Sequence, residues 1–460
     1  MSDRLSSGEG VSSVLEDREG YVLSIVQDSR QLAVYIYRSD GSQAARALRV
    51  WDGPLSADEL LSSAITLSDV AVRRAGITPF ELASVGIAAS PHALVCWEAV
   101  SGRPVGLWTT PEDWPARNFG GRLSFLLTCV PQLANASERS ASGLRVGGVE
   151  SWLLWNLTQG QSCFLDISHD LADLVQTAQD VPLPEAVWPH LANHPGVLGR
   201  VAAVYLGGAR APVTSIACTP VAALYATGVD EAGAGFIGYR EEGYLIVRLD
   251  DRQAQMLSSG AAAVRPVGLP RTGGFAYAFF ARFSAPQQAW LWLEALFSGN
   301  GLRDGLDEAL LQGDSLVFRA LSGRPDRVAL VDVGSGLRPV DLFAAALRSM
   351  VLSVDGALSD IANGASLAFH LFADDAAFDE PALFAFQAAV SRCAVTVGAG
   401  DASGLGAALL AFVGADVLSP VKAREIALFA VQRERYDSGP LPAQADEWKR
   451  RWRNQPRDLL

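Results

Sequence analysis

The sequence predicts an α/β protein built as two similar halves that flank a central cleft. Short apolar runs with strand periodicity alternate with helical stretches along the chain. A strand-rich opening followed by helices occurs twice, first near Tyr21 and again near Ser215. The chain has 460 residues, 49% hydrophobic and 19% charged, enough for two or three domains with large cores.

Residues 1–18 are polar and read as a disordered tail without the apolar segment of a secretion signal. Tyr21–Val26 and Leu32–Tyr37 predict an antiparallel hairpin, with Asp40-Gly41 as a turn. Ala57–Ala75 predicts an amphipathic helix with Leu60, Leu61, Ile65 and Val70 on one side. Ala83–Ala89 and Ala93–Ala99 read as strands, followed by a turn over Ser101–Pro104 and a Trp-rich helix over Ser151–Leu157. Ser215–Tyr225 opens the second half, and Phe236–Tyr239 pairs with Tyr244–Leu249 around Glu241-Glu242-Gly243. Then come strands at Val328–Val333, Ser366–Ala373 and Cys393–Val397, and helices at Val340–Leu358, Pro381–Ser391 and Gly404–Val413. The aromatic stretch Phe275–Phe297 reads as core. The expected division is a first half over 19–212, a second over 213–437 and a tail over 438–460.

A net charge of −13 disfavours nucleic acid, whose binding rests on clustered cations; the one such cluster is Lys449–Arg453. No run approaches the ~18 consecutive apolar residues of a membrane span. Lys422 and Lys449 are the only lysines among 37 basic residues, a bias of the kind a GC-rich genome imposes. The five cysteines are scattered, with no C-x-x-C pair, which points to a reducing, cytoplasmic setting and to no disulfide framework or thiolate metal site. His190 and His194 are four apart, but Pro189 and Pro195 keep them off one helix, so no metal site is expected.

Several segments, in order, resemble the FGGY carbohydrate kinases, glycerol kinases in particular. Gly86–Pro104, GIAASPHALVCWEAVSGRP, is similar to a family strand carrying G-I-x-x-Q-R-E and V-x-W-E. Gly147–Thr158, GGVESWLLWNLT, is similar to G-T-x-D-x-W-L-x-W-x-L-T. Ser215–Ala226 resembles the domain junction G-I-A-G-D-Q-x-A-A-L-F-G, and Asp374–Gln387 the adenosine-site region D-G-G with F-x-x-Q-F-Q. Gly404–Ala408 resembles a closing A-L-G-A-A helix and Glu447-Trp448-Lys449 a terminal Y-x-x-W-K. The resemblance implies two actin-like, ribonuclease-H-type domains closing over a polyol and ATP.

It also implies where the chemistry belongs, and there the residues depart from the family. The first phosphate loop, D-x-G-T-T-x-x-R, falls on Ile25–Leu32, without its glycine, leading aspartate or trailing arginine. The polyol-binding Arg-Glu pair falls on Pro91 and His92. The catalytic base falls on Thr219, whose hydroxyl takes up no proton at neutral pH. The second phosphate loop, G-T-G, falls on Arg240, Glu241 and Glu242, where two carboxylates would repel a triphosphate. A wall loop ending A-P-Y-W is deleted between Leu321 and Asp326, and D-G-G survives as Asp374, Asp375 and Ala376. Gly404 completes the nucleotide-cleft positions; Glu112, Asp113 and Asp166 are spare carboxylates of the polyol half, each more simply read as a surface loop acid. The expectation is a pseudokinase with a binding, scaffolding or regulatory role and no cofactor; its partners would be a small polyol or sugar, another protein or a second copy. The alternative is a diverged kinase that uses Mg-ATP.

Overall fold

The computed structural model describes residues 20–28, 31–51, 56–109, 119–131, 133, 143–177, 183–239, 243–258, 263–270, 276–283, 305–312, 317–321, 324–331, 338–364, 367–375, 380–429 and 433–453. Two mixed sheets organise it. The first comprises β1 (Tyr21–Asp28), β2 (Gln31–Arg38), β3 (Gln43–Val50), β4 (Leu82–Ala89), β5 (Gly199–Arg200) and β6 (Pro212–Cys218), in the order β5-β6-β4-β1-β2-β3. The second comprises β7 (Ala234–Gly238), β8 (Gly243–Leu249), β9 (Ala263–Val267), β10 (Ala276–Phe283), β11 (His370–Asp374), β12 (Val395–Gly398) and β13 (Arg433–Tyr436), in the order β9-β10-β8-β7-β11-β12-β13.

The two sheets share one plan. Three antiparallel strands, β1-β2-β3 or β7-β8-β10, are extended beside the first strand by two parallel ones, β4-β6 or β11-β12. This is the repeat that the two strand-rich openings predict. β6 pairs with β4, so Pro212–Cys218 belongs to the first sheet and the chain crosses over after Cys218, later than a division at 213 implies.

Helix α1 (Ala57–Ala75) spans the range read from its periodicity. Ser56 caps its start by accepting from the Glu59 amide, and Gly76 ends it at φ 70°, a left-handed conformation that glycine tolerates. Its buried stripe is Leu60, Ala64, Ser68, Ala71 and Val72, while Leu61, Ile65 and Val70 sit half-buried at the margin. The Trp-rich helix is α2 (Val149–Leu157).

Two small-residue helices join the halves, α3 (Thr219–Tyr225) after β6 and, beyond α4 (Pro339–Gly364) and α5 (Pro381–Ser391), α6 (Ala402–Gly414) after β12. α3 shares a core with Phe236 and Ile246 of the second sheet, whereas α6 lies across the first sheet. There Ser24, Ser84, Thr214 and Ser215 donate to the carbonyls of Gly404, Ala411, Ala411 and Ala407 at 3.0, 3.1, 2.8 and 3.3 Å. Each half thus supplies a helix to the other.

α4 is long and apolar enough to cross a membrane, but 72% of that window is buried inside the protein. Two expectations change here. Val328–Val333 falls partly on Arg324–Val331, which pairs only with Val317–Leu321 among the described residues and adds nothing to the second sheet. Within the supposed tail, α7 (Ala445–Arg453) docks on the core: Trp448 is 2% exposed, and Lys449 bonds Asp355 at 2.8 Å and the Val390 carbonyl at 2.7 Å.

Candidate functional site

At the end of β4 the chain turns through Pro91 and His92, both buried, before the strand Ala93–Glu98. His92 Nδ1 lies 2.7 Å from Asp170 Oδ2. The Asp170 amide donates to the Pro91 carbonyl at 3.2 Å, which binds the 166–171 turn to the Pro91-His92 turn. Arg265, on β9 of the second sheet, pairs with Asp170 and donates to the Ser168 carbonyl at 2.9 Å. Arg122 donates to the Asp170 carbonyl at 3.3 Å and to Asp173 at 2.6 Å. A charged cluster has therefore been assembled where the resemblance places a polyol.

Burial alone would raise the Asp170 carboxyl, but Arg265 and then His92 outweigh it and hold the group well below the usual carboxylate range. Next to it, His169 Nδ1 accepts from the Leu171 amide at 3.1 Å, so Nε2 must carry the proton it gives to the Ala93 carbonyl at 3.2 Å. Burial pushes this ring down to about 4, consistent with a neutral imidazole. Asp166, expected as a surface acid, is 2% exposed and accepts from the Ser168 amide at 2.6 Å and from its hydroxyl. Burial raises its carboxyl, and drives Glu150, which has no hydrogen-bond partner of normal geometry among the described residues, up to about 8.

Thr219 starts α3, is 5% exposed, and its carbonyl accepts from Ser403 Oγ at 3.3 Å. Asp374 Oδ2 accepts from the Ala402 amide at 3.1 Å and Asp375 Oδ1 from the Gly400 amide at 2.7 Å, so both fasten the turn leading into α6. Gly404 packs against Tyr35, where an added Cβ would lie 2.9 Å from the ring. Glu112, Asp113, Arg240, Glu241 and Glu242 lie outside the described residues. Pro91 and His92 meet in one cluster, Asp374, Asp375 and Gly404 around the α6 start, and the two sets remain separate. No group of three or more His, Cys, Asp or Glu among the described residues is placed to hold a metal. Asp170, His169, Arg122 and Arg265 escaped the sequence reading; the S-H-D run at 168–170 was the available signal.

No family model matches the chain. The glycerol kinase of Trichlorobacter lovleyi is 27% identical over 213 residues, 38% of this chain and 42% of that protein. That of Halothermothrix orenii is 23% identical over 269 residues, 49% of this chain and 54% of its own length, so the chain spans about half the length of these curated relatives. A Streptococcus pyogenes glycerol kinase is 20% identical over 365 residues, 70% of this chain and 69% of that one. Among solved structures, Plasmodium falciparum glycerol kinase with ADP superposes at a TM-score of 0.74 with 13% identity, covering 95% of this chain and 97% of that one. The chain is thus similar in sequence to glycerol kinases and shares the fold of the FGGY carbohydrate kinases. Xylulose kinase from Rhodospirillum rubrum, at a TM-score of 0.67 and 19% identity over 95% of this chain and 97% of that one, shares the fold. The FGGY relatives thereby supply the two-domain, actin-like architecture expected from the sequence.

Proposed function

We propose that this FGGY relative has lost phosphotransfer and serves as a binding, scaffolding or regulatory protein. The observation that supports this most directly is the occupation of the polyol position by the chain itself. His92 is bonded to Asp170, and Asp170 to Arg265 of the other half. A hydroxylated substrate would have to displace these buried pairs, and breaking such a pair costs about 3–5 kcal/mol. Thr219 at the base position agrees with the same reading. The positions also fit Mg-ATP poorly. Gln27 stands where the resemblance places the phosphate-loop glycine, so the backbone amides there lack the close approach that glycine allows.

One observation favours a diverged kinase instead. With Asp170 ionised, a neutral His92 gives it the Nδ1 proton, and Nε2 becomes the basic nitrogen of the ring, a general-base arrangement at the substrate position. Assays with Mg-ATP and glycerol, pentitols, ketoses or hexoses separate the two readings. The expected result is no ATP-dependent product. Turnover abolished by His92→Ala and indifferent to Thr219→Ala would establish the second reading and overturn the first. The location proposed is the cytoplasm.

A further inference from the structure

A groove of about 460 Å³ opens where α4, the end of α5 and α7 meet. Small-molecule sites run from about 300 to about 1,000 Å³, so it has room for a compact ligand. It shares no residue with the His92 cluster or with the turn at the start of α6. Val390 is the one apolar residue on its wall. The charged ones are Asp355 of α4, Arg392 just past α5, and Asp446, Lys449, Arg450 and Arg453 of α7. Four cations and two carboxylates thus line it, on a chain whose net charge is −13.

Pairing within the wall leaves the excess on the arginines. Lys449 and Asp355 neutralise each other at 2.8 Å. Glu447 lies 3.9 Å from Arg450 but is bonded by Arg451, which matches its charge. Arg392, Arg450 and Arg453 then face a single carboxylate, Asp446. Arg453 gives one N–H to Ser359 Oγ at 3.3 Å, and a guanidinium carries five donors, so most of this capacity is open. Ser391 Oγ accepts from the Gln387 side-chain amide, and its own proton goes to no described acceptor.

Arg392 singles the groove out. Its backbone is left-handed, at φ 54° and ψ 33°, a conformation glycine adopts at less cost than a residue with a Cβ. The end of α5 has no need of its charge, because Lys449 Nζ already donates to the Val390 carbonyl at 2.7 Å. It makes no hydrogen bond or ion pair with any described residue. Folding has brought this unmatched cation against the basic side of α7.

We propose that this groove binds a compact polyanion, a small molecule bearing two or more carboxylate or phosphate groups. The planar guanidinium fork matches both kinds of oxyanion. Arg392 and the Ser391 hydroxyl hold one such group. Arg450 and Arg453, three apart on α7 and so on one face, hold another. The occupant ties α7 to the end of α5. The groove lies apart from the cleft positions, so the inference does not rest on the loss of phosphotransfer.

The test is calorimetry on the full chain at low ionic strength with citrate and pyrophosphate, against acetate as a monoanion. Expected is binding of at least one polyanion at a Kd of about 1 mM or tighter, with acetate weaker and added salt weakening it further. Binding of citrate alone identifies polycarboxylates as the ligand class, of pyrophosphate alone phosphates, and of both any compact polyanion. Arg392→Gly relieves the left-handed backbone while it removes the cation. It should weaken binding roughly tenfold while preserving or raising the melting temperature, a combination that a merely structural arginine would not give. Arg450→Ala, at a side chain 70% exposed, should also weaken binding roughly tenfold without unfolding the protein. Absence of polyanion binding overturns the proposal, as does acetate binding equally well, or full affinity in either folded variant, which would locate the anion elsewhere.

Discussion

Arg265 on the second sheet and Asp170 beside the first are paired in the interior, joining the two halves of the protein at the position the FGGY resemblance assigns to substrate. Their side chains are 15% and 2% exposed, so solvent screens the pair weakly. Asp170→Asn should strand the Arg265 cation and lower unfolding free energy by about 3–5 kcal/mol. A double-mutant cycle with Arg265→Ala, read by urea denaturation, should give a coupling above about 1 kcal/mol. Additive losses would mean that the two side chains act independently.

Glu150 makes a prediction about pH. Its carboxyl is fully buried on α2 and raised from 4.5 to about 8, mainly by desolvation. The folded state therefore holds a proton that the unfolded state releases, and stability falls as pH rises from 4.5 through 8. Glu150→Gln keeps the shape without a titrating group. Relative to wild type it should gain stability between pH 6 and pH 8, by roughly 2 kcal/mol or more over that interval. Parallel denaturant titrations at both values, with no difference in the wild-type-to-variant gap, would contradict the buried-acid account.

The fold was more legible than the site. Short apolar runs located the β1–β2 and β7–β8 hairpins, and helical periodicity located α1, because each pattern is local. An apolar run does not name a strand's partner, so Val328–Val333 could be read as a strand while the pairing of Arg324–Val331 with Val317–Leu321, outside the second sheet, could not. The cluster at Asp170 was hidden for a related reason. Arg265 reaches the Ser168 carbonyl from 97 residues away, and an isolated arginine on a strand carries no sign of that contact. The family motifs point to Pro91, His92 and Thr219 as positions of departure from the family, and carry no information about the residues packed around them.

Gly406 sets two general rules against each other. In a helix interior, glycine to alanine usually stabilises by up to about 1 kcal/mol. Here an added Cβ would lie 1.8 Å from the Ala222 carbonyl oxygen, on the helix that crosses α6. Backbone cannot rotate out of the way as a side-chain end can, and overpacking commonly costs about 1–3 kcal/mol. The clash should win, so Gly406→Ala should lower the melting temperature. Gly356→Ala on α4, with nothing within 4 Å of the added atom, should raise or preserve it. The pair of variants measured together distinguishes the close crossing of α3 and α6 from a general intolerance of substitution.

The second phosphate loop of the family falls on Arg240, Glu241 and Glu242, between β7 and β8. Two carboxylates at that tip would each oppose a phosphate charge, at about 4 kcal/mol per pair at 4 Å in an effective dielectric of about 20, and less where water screens them. Glycines would in addition allow the backbone amides to approach phosphate closely. Arg240→Gly, Glu241→Thr and Glu242→Gly together should therefore improve Mg-ATP affinity by roughly 2–4 kcal/mol on this screened estimate. On the proposed reading no catalysis accompanies this gain, because Thr219 still stands where the resemblance places the base and the Asp170–Arg265 pair where it places the polyol. Calorimetry on the folded triple variant checks the first half of the prediction and a phosphotransfer assay the second. Unchanged affinity would locate the obstacle elsewhere in the cleft, while recovered turnover would mean that the remaining residues had been sufficient for chemistry and that only nucleotide binding had been lost.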